Sequence, residues 1–197
     1  ETSRALMERS PQVFFQVLHE CGALAELFPE VANLDGIPQS PDHQPALDVL
    51  SHQWRCLAQA ARLKLPLTSR YALLCHDFGK AETPPDGWPE HRGHERRGMH
   101  VAKTMSQRLR VPKEMTDAAM TMARWQSRVQ RVLKLRPPEG WELLHNLDVL
   151  RRPRRLKFLV DACEADARVC SADYKTPYVQ GAFLLGLSEA VRDVDVA

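Results

Sequence analysis

Ala72-Leu73-Leu74-Cys75-His76-Asp77-Phe78-Gly79-Lys80 runs an apolar helix into a His-Asp pair and then into glycine. A helix that stops at glycine lets neighbouring side chains project into one pocket instead of diverging around the helix. An imidazole nitrogen beside a carboxylate oxygen suits a borderline divalent ion such as Mn, Fe, Co, Ni or Zn, or Mg if carboxylates and water dominate. A His-Asp dipeptide alone is weak evidence, so the rest of the chain has to supply the context.

Upstream, Thr68 or Ser69 is placed to cap this helix, and Pro66 breaks the one before it. That earlier helix is expected from about Pro45 to Leu63, with Leu47, Leu50, Trp54, Leu57, Ala58 and Ala61 on its buried side and His52 also on it. Gly36 to Pro45 has no periodicity and reads as a loop. Ser10-Pro11 starts a helix whose apolar stripe is Val13, Phe14, Val17, Leu18 and Cys21, and Gly22 stops it.

Downstream, Ala81 to Gly93 reads as a loop. Helical patterns resume over His94–Leu109, Pro112–Trp125, Pro138–Leu150, Arg154–Val169 and Thr176–Val191. No run alternates apolar and polar residues as a strand would, and no Asn-Gly hairpin turn occurs. The fold class is therefore all-α.

Composition narrows the function. The 197 residues are 44% hydrophobic and 26% charged, as in ordinary globular proteins. A net charge of +2 gives no general pull toward nucleic acid, so any RNA contact needs a local patch. The five cysteines include no CxxC pair and read as reduced, buried thiols of a cytoplasmic protein. No apolar run is long enough for a membrane span, so no membrane partner is expected. The start at Glu1 rather than Met reads as a piece of a longer protein. The tryptophans Trp54, Trp88, Trp125 and Trp141 and the methionines at 115, 120 and 122 read as packing residues.

More donors accompany His76-Asp77. They are His52 on the preceding helix, His91 and His94 in and after the loop, and Asp166 on a late helix. Each alone reads more simply as structural. Asp166 could pair with Arg168 at the surface or pack beside Arg155, and Asp161, Glu164 and Asp173 lie near it in sequence.

The order His, then His-Asp, then Asp across three helices resembles the HD phosphohydrolase superfamily. The resemblance implies metal ligands at His52, His76, Asp77 and Asp166. Longer matches resemble the C-terminal HD portion of bacterial CCA-adding enzymes: Pro11-Gln-Val-Phe-Phe-Gln-Val-Leu, Cys21-Gly-Ala-Leu, Leu27-Phe-Pro-Glu30, Thr83-Pro-Pro with Trp88-Pro89, His91-Arg-Gly-His-Glu95, Arg108-Leu-Arg-Val-Pro112 and Glu164-Ala-Asp-Ala-Arg168. The similarity covers nearly the whole chain. It implies an HD helical bundle over 36–175, preceded by a helical segment over 1–35 leading from an absent nucleotidyltransferase head and followed by a C-terminal helix over 176–197.

The same resemblance implies phosphatase, 2'-nucleotidase and 2',3'-cyclic phosphodiesterase activity using Mg, Mn, Co or Ni, within tRNA 3'-end synthesis and repair. The substrates would be a tRNA 3' end or small phosphoesters. His76, Asp77 and Lys80 would be catalytic, and His91 and His94 would contact phosphate or support the site. Lys80 also reads simply as a charge at a helix C-terminus. After Ala123-Arg124-Trp125 this chain has Gln126 and Gln130 where close relatives tend to carry histidine. A degenerate module serving tRNA binding or dimerisation is therefore the alternative. Arg151, Arg152, Arg154 and Arg155, with Lys157, read as a solvated turn or as contacts to tRNA phosphates. A homodimer is left open.

Overall fold

The structure, a computed structural model, describes residues 1–39, 48–170 and 176–193. Among the described residues there is no strand, only an isolated bridge between Pro38 and Asp48. The all-α expectation holds. The helices are α1 (Thr2–Met7), α2 (Pro11–Glu20), α3 (Ala23–Leu27), α4 (Pro29–Ala32), α5 (Val49–Arg62), α6 (Leu67–Cys75), α7 (Phe78–Ala81), α8 (His94–Arg108), α9 (Lys113–Gln130), α10 (Pro137–Asn146), α11 (Pro153–Cys170) and α12 (Val179–Asp193).

Helix α6 lies at the centre. Every residue from Ser69 to Lys80 is buried, as expected for a helix covered on all sides. Two apolar cores meet across α5 and α6. One gathers Leu6, Phe15, Leu24, Phe28 and Leu34 with Leu50, Leu57, Tyr71, Leu74 and Met105. The other gathers Cys56, Ala60 and Leu73 with Met122, Val129, Leu143, Leu159, Cys163 and Leu184. The first 37 residues thus share a core with the helices that carry the His-Asp pair. Arg70 fastens them by donating to the carbonyls of Leu6 (2.7 Å), Glu8 (3.0 Å) and Leu65 (2.8 Å), which answers acceptors left open where α1 ends.

Several local expectations are corrected. Helix α6 starts at Leu67 directly after Pro66 with no side-chain cap, and Ser69 is buried within its first turn. The described part of the preceding helix begins at Val49, capped by Asp48, whose carboxylate accepts from Ser51 N at 2.9 Å. Leu47 and Pro45 lie outside the described residues. The inward face of α5 carries His52, Gln53, Cys56 and Gln59 as well as Leu50 and Leu57, while Trp54, Ala58 and Ala61 are half-buried. On α2 the buried residues are Pro11 and Phe15, which stacks on Trp54 at 6.0 Å; Phe14 and Leu18 pack beside it, and Val13, Val17 and Cys21 are exposed. Trp141, expected to pack, is exposed. Helix α9 runs on to Gln130, and α10 stops at Asn146.

Gly79 does not end α6. The helix stops at Cys75, and Gly79 sits inside the short turn of α7. Its role is close approach. A Cβ there would lie 1.9 Å from the His94 carbonyl oxygen and 2.4 Å from Gly98 N, both backbone atoms. Gly22 does take the left-handed conformation that stops α2 (φ 77°).

Gly79→Ala should therefore lower unfolding free energy by about 3 kcal/mol, since the obstructing atoms cannot rotate away. Gly186→Ala, on α12 with nothing within 4 Å of the added carbon, should raise it by roughly 0.5–1 kcal/mol. Urea unfolding of the two variants checks both signs.

Candidate metal centre

Helices α5, α6 and α11 each bring one part of the centre. His52 comes from the middle of α5, His76 caps the C-terminus of α6, and Asp166 points inward from the last third of α11. His52 Nε2 lies 3.0 Å from Asp166 Oδ1, and His76 Nε2 lies 3.7 Å from the same oxygen and 3.3 Å from Asp77 Oδ2. All four residues are nearly inaccessible. The alternatives open for Asp166 fall away: Arg168 pairs with Glu164 at 2.6 Å, and Arg155 pairs with Asp117 at 3.1 Å.

Sequence reading missed a further donor. Cys56 Sγ lies 3.2 Å from His52 Nε2 and 3.8 Å from Asp166 Oδ1. Its spacing of four residues from His52, which puts both on one face of α5, was the available signal. Ligand atoms of His52, Cys56, His76 and Asp166 all lie within 4.8 Å of one another. Asp77 is turned toward Lys80, whose Nζ donates to its Oδ2 at 2.8 Å and to Gln39 Oε1 at 2.8 Å.

The electrostatics follow from burying these charges together. Burial pulls the His76 imidazole down, but the carboxylates of Asp77 and Asp166 outweigh it and hold the group up at about 10. Burial pushes Asp166 up, yet the adjacent His52 and His76 rings win and leave it well below the usual carboxylate range. Asp77 is likewise held well below, with burial opposed by His76 and Lys80. Burial, and then the charge of Asp166, push the Cys56 thiol well above its ordinary value.

A divalent ion fits this donor set. His76 Nδ1 donates to Leu73 O at 2.7 Å, which fixes the ring and turns Nε2 inward. That Nε2 is buried without a hydrogen-bond partner. Two imidazole nitrogens, a carboxylate and a thiol are the donor types that such ions take.

Gln126 and Gln130 both reach the centre. Their amides donate to Asp166 Oδ2 at 2.5 and 3.3 Å, and Gln130 Oε1 accepts from Tyr178 Oη at 3.2 Å. Each therefore anchors the carboxylate. His91 and His94 stand apart from the cluster. His91 is buried with φ 49° and donates through Nε2 to Pro38 O at 2.7 Å; His94 Nδ1 donates to His91 O at 2.8 Å. Both line a small cavity of about 80 Å³ together with Lys80 and Gln126.

The arginines lie elsewhere. Arg151, Arg152 and Arg154 are exposed around the start of α11, and Arg152 pairs with Asp148 at 3.6 Å. The twelve residues from Arg154 to Asp166 amount to about 18 Å along the helix.

No family model matches the chain. Curated relatives do, among them three multifunctional CCA proteins that match along all of it: that of Alcanivorax borkumensis at 53% identity, that of Pseudomonas aeruginosa PAO1 at 46% and that of Pseudomonas syringae pv. syringae B728a at 45%. The chain matches the multifunctional CCA proteins over its whole length. It spans about half of theirs, 48% in each of the three. Among the described residues no helix is long and apolar enough to cross a membrane.

The buried charges make stability pH-dependent in a calculable direction. Asp77 and Asp166, depressed from 3.8, stabilise the fold above that value and cease to do so as pH falls. His76, raised from 6.5, stabilises it fully below 6.5 and loses that contribution as pH rises toward about 10. Chelator-treated protein should therefore be most stable between about pH 4 and 6.5. His76→Gln should flatten the alkaline limb in thermal melts; an unchanged limb would assign it to another group.

Proposed function

We propose that this chain is a metal-dependent phosphohydrolase module of a tRNA CCA-adding enzyme, acting on a tRNA 3' end or on small phosphoesters. The observation that carries the reading is the convergence of His52, His76 and Asp166 from three helices, with His76 Nε2 buried, 3.7 Å from Asp166 Oδ1 and in no hydrogen bond. The names of the relatives supply the setting of CCA addition.

His52, His76 and Asp166 would hold a divalent ion (Mg, Mn, Co or Ni), with Asp77 beside His76. Such an ion, when bound, supplies Lewis acidity and a bound water of lowered pKa. Lys80 neutralises Asp77 and presents a cation at the edge of the cavity lined by His91 and His94. A phosphate entering there would meet a positive group on one side and the inward-facing donors on the other. Gln126 and Gln130 keep Asp166 Oδ1 aimed at the two imidazoles by occupying Oδ2.

A second reading draws on the same amides. Asp166 is already supplied with donors by His52, Gln126 and Gln130, so the centre also suits a scaffold whose exposed Arg151 and Arg154 contact tRNA phosphates, or whose surface dimerises.

Hydrolysis of 2',3'-cyclic AMP and p-nitrophenyl phosphate with Mg, Mn, Co or Ni separates the two readings. The hydrolase reading expects metal-dependent turnover that falls by at least about 100-fold in Asp77→Ala. Absence of turnover with every metal, from folded protein, would overturn it.

The tRNA contact is tested separately. Replacing Arg151 and Arg154 by Gln should weaken tRNA retention and lower the slope of log affinity against log salt by roughly one to two. An unchanged slope would remove the arginine turn from the RNA surface.

A further inference from the structure

We infer that Cys56 is a sulfur ligand to the ion held by His52, His76 and Asp166, so that the centre selects a thiophilic transition ion of the Zn(II) or Co(II) class over Mg(II). This rests on the reading of the cluster as a metal centre and adds its ligand set and ion class.

The geometry gives the first reason. Four donors around a tetrahedral ion with bonds of ~2.0–2.3 Å stand about 3.3–3.8 Å apart along the edges. Here Sγ to His52 Nε2 is 3.2 Å, Sγ to Asp166 Oδ1 is 3.8 Å, His76 Nε2 to Asp166 Oδ1 is 3.7 Å and His52 Nε2 to Asp166 Oδ1 is 3.0 Å. These four separations lie at or near such edges, and none among the ligand atoms of the four residues exceeds 4.8 Å.

The second reason is independent of the cysteine. His76 Nε2 is buried and aimed into the same space, 3.3 Å from Asp77 Oδ2 and 3.7 Å from Asp166 Oδ1 but in no hydrogen bond, while its Nδ1 is engaged by Leu73 O. A ring nitrogen without a hydrogen bond, beside a carboxylate, an imidazole and a thiol, is one of a set of donors facing a common point. Asp77, the other carboxylate near His76, is held by Lys80.

Chemistry sets the ion class. Sulfur donors favour Zn, Co and related ions, whereas Mg keeps to oxygen ligands and water. On binding, the Cys56 S–H bond breaks, a sulfur–metal bond forms, and the thiol proton is released to solvent.

Cobalt titration of the full chain after chelator treatment is the test. Wild-type protein should give visible d–d bands and a strong near-ultraviolet sulfur-to-cobalt charge-transfer band, and a large molar excess of magnesium should leave both in place. Cys56→Ser should lose the near-ultraviolet band, keep d–d bands and bind cobalt about tenfold or more weakly. Cys21→Ser, at an exposed thiol, should change nothing.

Wild-type d–d bands without the near-ultraviolet band would overturn the sulfur ligand and leave a metal centre standing. A band that survives in Cys56→Ser would assign it to another thiol and overturn the inference. Absence of any cobalt band would remove the metal centre itself. The wild-type spectrum decides the main point without needing a variant to fold.

Discussion

A carboxylate that leaves water for a protein interior must be met by donors there, and Asp166 is the carboxylate on which this fold turns. Its two oxygens collect His52 from α5, Gln126 and Gln130 from α9, and the edge of His76 at the end of α6. Helix α11 can be buried at that point only if those three helices present their polar groups to one place. The apolar packing on both sides, around Leu73 and Leu159 in one core and Leu57 and Leu74 in the other, holds the helices at the spacing the carboxylate requires. Each polar member of the cluster is thus both a constraint on helix placement and a donor available to an ion.

The central helix explains how such a cluster comes to be buried. With every residue from Ser69 to Lys80 buried, α6 delivers His76 and Asp77 to the interior through a short break before α7, and Leu73 O turns one of the two rings. Lys80 enters with them and offsets the second carboxylate. The charges are arranged as neighbouring pairs, Lys80 with Asp77 and His76 with Asp166, which limits the cost of burying each.

Much of this was legible in the chain. The helical periods gave the all-α class, and the order His52, His76-Asp77, Asp166 named residues that do lie together. What periodicity misplaced were faces and ends. Of the stripe Val13, Phe14, Val17, Leu18 and Cys21, Phe14 and Leu18 do pack on the core, but Val13, Val17 and Cys21 face outward, because Phe15 takes the deepest place against Phe28 and Trp54. Gly79 looked like a stop, but the reason for glycine there is the backbone of another helix fifteen residues on, which no local pattern records. Cys56 read as one more buried thiol, since a cysteine on an apolar face looks the same whether or not histidine and aspartate come to meet it. Gln126 and Gln130 read as departures from a histidine pattern, and their hydrogen bonds to Asp166 arise only from the crossing of α9 with α11.

The crossing at Gly79 and Gly98 has a bearing on how mutational surveys of this chain would read. Gly98, whose own added carbon would stand 3.1 Å from Gly79 N, shares the contact, so Gly79 refuses a side chain for reasons of space and Gly98 takes one only if its neighbour shifts. A deep scan for function would score them as severely as His76 or Asp77, only two or three residues from Gly79, although neither glycine carries a group that can bind or react. Intolerance to substitution along 76–80 is therefore a blend of two signals. They part only when the abundance of folded protein is scored beside activity: the glycines should fail both assays, whereas a group needed for chemistry alone fails one.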